Sequence, residues 1–166
     1  MRRFLLIDTV SEPATVAIAT QRSVLAEATV VDRRQLSEQL LSRIDGLSRE
    51  ARQPLDDLAA IGIVSGPGPF TALRIGTAVA NALAYANRTP LVPAGADEVP
   101  SLAAFASLVR DRLEAGKTVR AVLPSYGREP SITPPKSGRR SPGRPSPPAP
   151  RGTVARPDTA RGRTSH

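Results

Sequence analysis

The spacing of apolar residues changes period several times along the chain, and each change predicts an element. Phe4-Leu5-Leu6-Ile7 is an unbroken apolar run, the pattern of a central strand buried on both faces. Ser11-Glu12-Pro13 reads as a turn. Residues 15–20 alternate, with Val16 and Ile18 on one side, and predict a second strand. Gln21-Arg22-Ser23 is a tight connection to a third strand over 24–30, which completes a meander. The period then becomes helical: Leu36, Leu40, Leu41, Ile44 and Leu47 form one apolar stripe, which Gly46 and the polar residues 48–53 are expected to end or fray. Residues 54–58 suggest a short helical turn with Pro54 at its first position. Ile61, Ile63 and Val64 predict a fourth strand running into Ser65-Gly66-Pro67-Gly68-Pro69. A second helix is expected over about 71–86, capped by Thr71 or a neighbour. Leu91-Val92 reads as a fifth strand. Residues 99–112, with Leu102, Phe105, Ala106 and Val109 at helical intervals, read as a third helix. Residues 119–123 read as one more strand.

Three strands, then helix, strand, helix, strand, helix is the order of an α/β lobe in which an antiparallel meander leads into right-handed crossovers. It resembles the ribonuclease-H-like lobe of the actin and sugar-kinase superfamily. The expected fold is a mixed five-stranded sheet with helices.

Charge divides the 166 residues in two. Of 23 Lys and Arg, eight lie in residues 130–166 with a single acid, Asp158, while residues 1–129 are nearly neutral at +1 of the total +8. The front of the chain therefore offers no electrostatic case for nucleic-acid binding. Residues 130–166 also hold nine of 17 prolines and no aromatic residue, with Ile132 and Val154 as the only large aliphatics. Such a composition does not bury enough apolar area to offset the entropy of ordering, so this segment is expected to be a disordered Pro/Arg-rich tail. Cysteine is absent, and His166 is the sole histidine, so a thiol nucleophile, a disulfide framework and a His-based metal site in the lobe are excluded. The first apolar run is interrupted by Asp8 and is too short for a signal-peptide core. The expectation is a cytoplasmic protein with no membrane partner.

Three motifs narrow the picture. Leu6-Ile7-Asp8-Thr9 ends the first strand, Arg34-Gln35-Leu36-Ser37-Glu38-Gln39-Leu40-Leu41 leads into the first helix, and residues 66–76 read Gly-Pro-Gly-Pro-Phe-Thr-Ala-Leu-Arg-Ile-Gly. Together they resemble the TsaB/YeaZ family of tRNA threonylcarbamoyladenosine biosynthesis proteins, over roughly residues 1–129. Pro69 stands where that family has Ser, Ala72 where it has Gly, and Leu36 where it has His. The resemblance implies a non-catalytic dimerisation subunit of a transferase complex. Its partners would be a TsaD-like catalytic subunit or a second copy of itself, a TsaE-like ATPase through the complex, and tRNA indirectly. It also implies a second lobe. Residues 119–129 are a candidate start for one, and the abrupt change at Pro130 is expected to reflect a frame-shifted or truncated reading. The rival reading of residues 130–166 is a genuine basic tail contacting RNA phosphates.

Candidate site residues follow. Asp8 and Thr9 occupy the position that faces nucleotide phosphates in the superfamily, yet no glycine follows Asp8 and Val10 is bulky where close approach is needed. Gly66, Pro67 and Gly68 lack the Lys and Ser/Thr of a P-loop and lose amide donors to proline, so they read as a structural turn. No cofactor and no ATP bound by the chain itself are expected. Ala72, Gly76 and Ala80, four residues apart, leave a groove for close helix packing, against the lobe's own sheet or against a partner. The partner interface is assigned to Leu36, Leu40, Ala72, Leu73, Arg74, Gly76, Ala80 and Leu83. The catalytic relatives hold iron through a His-containing motif that this sequence lacks. The alternatives kept open are a stand-alone actin-fold ATPase or kinase and a truncated remnant with a basic RNA-contacting tail.

Overall fold

The computed structural model describes residues 1–127; the expectations for residues 130–166 lie outside the described residues. A five-stranded sheet has the order β3-β2-β1-β4-β5. β1 (Arg3–Asp8), β2 (Ala14–Thr20) and β3 (Val24–Val30) form the antiparallel meander. β4 (Ala60–Gly66) and β5 (Leu91–Gly95) join it in parallel through the helical crossovers α1 (Leu36–Glu50) and α2 (Phe70–Asn87). α3 (Leu102–Glu114) follows β5.

The period-2 geometry of a strand divides the core between the two faces of the sheet. Leu5, Ile7, Val16, Ile18, Ile61 and Ile63 pack with Leu40 and Ile44 of α1 and with Ala72, Ala80 and Ala84 of α2. Phe4, Leu6, Ala17 and Val64 pack on the other face with Phe105, Ala106 and Val109 of α3. The continuous apolar run of β1 thus reflects cover on both sides.

Several expected boundaries move, for local reasons. α1 continues through Gly46 to Glu50, because Gly46 faces open space and Leu47, one residue on, still joins the core. α2 starts at Phe70; Pro69 precedes it without a side-chain cap, and Thr71 is an exposed first-turn residue rather than the cap. β5 runs on through Pro93, which an edge strand tolerates because one row of its amides has no ladder partner. α3 begins at Leu102 rather than Val99. Pro100 disfavours helical geometry in the residue before it, and Val99 sits at φ −123°, ψ 66°. The Ser101 side chain then caps the helix by accepting from the Ala104 amide at 3.2 Å.

The strand expected at 119–123 does not form. Val119 makes a single antiparallel bridge with Leu91. Three residues on, the Asn81 carboxamide replaces a strand partner: its Nδ2 donates to the Val122 carbonyl and its Oδ1 accepts from the Val122 amide, both at 2.9 Å. No helix among the described residues is long and apolar enough to cross a membrane.

Candidate functional site

β1 and the parallel strand β4 end at the same edge of the sheet, the edge at which open α/β folds receive ligands. Here that edge is closed by the chain itself. The Asp8 carboxylate turns back, and its Oδ1 accepts from the amides of Val10 at 2.9 Å and Ser11 at 3.0 Å. Those are the amides that would face an anion beyond the strand. Thr9 is fully buried, and its hydroxyl donates to the Ala72 carbonyl at 2.8 Å. Arg33 covers the other side of the turn, donating to the carbonyls of Val10 at 2.8 Å and Ser11 at 3.2 Å and pairing with Glu12 at 3.5 Å. Val10 presses on the turn after β4: a Cβ on Gly68 would lie 2.6 Å from its Cγ1. Asp8 thus stands at the end of β1 with its Oδ1 taken up by its own turn, and the Thr9 hydroxyl is engaged inside the fold. Arg33 was missed in the sequence; it lies three residues after the meander, and nothing in its neighbours marks it as reaching back to residue 10.

The Gly66-Pro67-Gly68 turn supports the segment that leaves the lobe. Gly66 has φ +128°, a conformation glycine alone adopts readily, and a Cβ there would stand 2.0 Å from the Ser125 carbonyl oxygen. The Ser125 amide donates to the Ser65 carbonyl at 2.7 Å. Tyr126 stacks on Phe70 with 4.6 Å between ring centres, and the Arg74 guanidinium lies 5.3 Å from the centre of the same Phe70 ring. This sequence motif therefore holds residues 125–127 across the start of α2.

Six of the eight residues assigned to a partner surface lie elsewhere. Leu36, Leu40, Ala72, Leu73, Gly76 and Ala80 are buried within this chain. The small residues of α2 face inward: a Cβ on Gly76 would lie 2.3 Å from Thr9 Oγ1. The inward choice follows from Thr9, whose side chain needs that space. Arg74 is exposed and Leu83 half-buried. With them, the outer face of α2 consists of exposed Thr71, Ala78, Ala82 and Ala86 flanked by half-buried Ile75 and Val79. This second small-residue stripe, two positions out of phase with the first, was legible at the same spacing. On α1 the one large apolar residue left exposed is Leu41.

A ribonuclease-H-like lobe with its strand-end recess filled and a small-residue apolar face turned outward is the class of molecule these residues define. Residues 23–112 match the family model described as TsaD, tRNA N6-adenosine threonylcarbamoyltransferase, and the chain belongs to this family. It is 36% identical over 89 residues to an uncharacterized protein of Mycobacterium tuberculosis, covering 52% of this chain and 42% of that one. It is 34% identical over 89 residues to the tRNA N6-adenosine threonylcarbamoyltransferase of Streptococcus uberis, covering 54% of this chain and 25% of the enzyme. The fold is similar to that of YeaZ from Pseudomonas aeruginosa, with a TM-score of 0.53 and 30% identity over 57% of this chain and 44% of that one. The chain thus spans less than half the length of these relatives.

Proposed function

We propose that this chain serves in tRNA threonylcarbamoyladenosine formation as a non-catalytic subunit, contributing a protein-binding surface to a TsaD-like partner. The observation that carries the reading is the closed strand end. Asp8 is bonded to its own turn, so the Val10 and Ser11 amides are already taken up, and Val10 fills the space against Gly68. A lobe of this family that does not hold nucleotide still offers the outer face of α2, where Ala78 and Ala82 allow close approach of another helix and Ile75, Val79 and Leu83 supply apolar area. The membership of the family and the likeness to YeaZ support placing that surface in the tRNA-modifying assembly.

The test is co-purification of the full chain with the TsaD-like protein of the same cell. Ala82 is exposed on the outer face of α2, so Ala82→Arg leaves the thermal melt unchanged and removes the complex.

A further inference from the structure

At the far end of α2, away from the closed strand edge, the chain forms an open groove of about 890 Å³. Tyr85, Arg88, Pro90, Thr118, Val119 and Arg120 line it, and no carboxylate does. Tyr85 is 89% exposed, and its ring takes no part in the core. Neither Arg88 nor Arg120 has an ion-pair partner among the described residues, although six other pairs form there. Arg88 also holds an unusual backbone position. It follows the last turn of α2 at φ 55°, ψ 29°, with its amide bonded to the Ala84 carbonyl. This left-handed position after a helix ordinarily carries glycine, and a side chain there is a local strain.

We infer that this groove is a contact site for single-stranded RNA, with the two guanidinium groups on phosphates and Tyr85 stacked on a base. Planar guanidinium groups match phosphate geometry, and an exposed tyrosine beside them gives a base a π face of tolerant sequence preference. The chain supplies no acidic occupant of its own. Residues 128–166 carry nine Lys and Arg against two acids, and residues 1–127 carry 14 against 13. The choice of RNA over an acidic peptide rests on the proposed role in tRNA modification together with Tyr85, which an acidic peptide does not require.

The experiment measures anisotropy of a fluorescein-labelled oligoadenylate titrated with the full chain at several salt concentrations. Arg88→Gly relieves the left-handed strain, so its melting temperature rises or holds, while RNA affinity falls; together with Arg120→Gln the loss is on the order of tenfold and the salt slope falls by about 1.4, two phosphates at about 0.7 each. Tyr85→Ala lowers affinity on the order of tenfold and leaves the slope unchanged. Affinity and slope equal to wild type in the double variant would overturn the site and assign all binding to the basic residues beyond 127. Binding of labelled polyglutamate that is lost in the double variant, with no response to oligoadenylate, would overturn it in favour of an acidic protein. Arg88→Gly and Arg120→Gln leave co-purification with the TsaD-like protein intact; an RNA response that persists where no complex forms would count against the proposed function alone.

Discussion

Replacing Gly76 by alanine tests whether α2 is fixed by the residue that follows the β1 aspartate. Alanine is the better helix former by about 1 kcal/mol, so on propensity alone the variant gains stability. The structure predicts the opposite sign. The new Cβ would lie 2.3 Å from Thr9 Oγ1 and 2.9 Å from Cγ2, and Thr9 is wholly buried with its hydroxyl held by the Ala72 carbonyl at 2.8 Å. Thr9 therefore has no free volume to turn into. Overpacking of this kind costs about 1–3 kcal/mol, and losing the buried hydrogen bond adds about 1 kcal/mol. After the propensity gain, Gly76→Ala is expected to be destabilised by about 1–3 kcal/mol, a fall in Tm of roughly 4–10 °C for a domain of this size. Thr9→Ala removes both overlapping atoms and leaves Cβ at 3.2 Å, so in that background the substitution is milder by about 1–2 kcal/mol. Urea and thermal unfolding of the four proteins of the cycle give the coupling. A Gly76→Ala protein as stable as wild type or more so, with no coupling to Thr9, refutes the packing argument.

Two further outcomes follow from side-chain contacts. Asn81→Ala removes both hydrogen bonds to Val122 and leaves that buried residue's backbone unpaired, for a loss of about 1–3 kcal/mol; hydrogen exchange would show faster exchange at the Val122 amide. Glu98 accepts from the Gly95 amide at 2.7 Å, and this bond, aided by Arg112 and opposed by desolvation, holds its carboxyl below the ordinary value of 4.5. A depressed carboxylate contributes stability that is present above pH 4.5 and is lost as pH falls through the lower folded value. Glu98→Gln should flatten the stability profile in that acid window, with the loss of stability seen above it and none below it, as read by urea midpoints across pH.

The sheet, its parallel crossovers and the two-faced core were legible because hydrophobic period reports burial directly: the unbroken run at 4–7 and the stripe from Leu36 to Leu47 each name their surroundings. The strand-end site was legible in part. The absence of a glycine after Asp8 and the bulk of Val10 signalled a filled recess, but the side chains that complete it, Arg33 and Thr9, act through contacts 23 and 63 residues away in sequence. The orientation of α2 was not legible. Two small-residue stripes share its surface, Ala72-Gly76-Ala80 and Ala78-Ala82-Ala86, and spacing alone does not say which one meets the sheet. Likewise 119–123 has the composition of a strand, while Asn81, a polar residue on a helix, takes up the backbone groups of Val122 that a neighbouring strand would otherwise have bonded.

The most direct test of the account is co-expression of the full chain with the TsaD-like protein, comparing wild type with Asp8→Asn and Ala82→Arg. Asparagine at position 8 keeps an oxygen acceptor for the Val10 and Ser11 amides and removes the charge that metal or nucleotide chemistry at this site would use. The account predicts a complex of fixed stoichiometry for wild type and Asp8→Asn, active in tRNA threonylcarbamoylation, and no complex for a folded Ala82→Arg. A complex that survives Ala82→Arg, or modification activity abolished by Asp8→Asn within an intact complex, would contradict it.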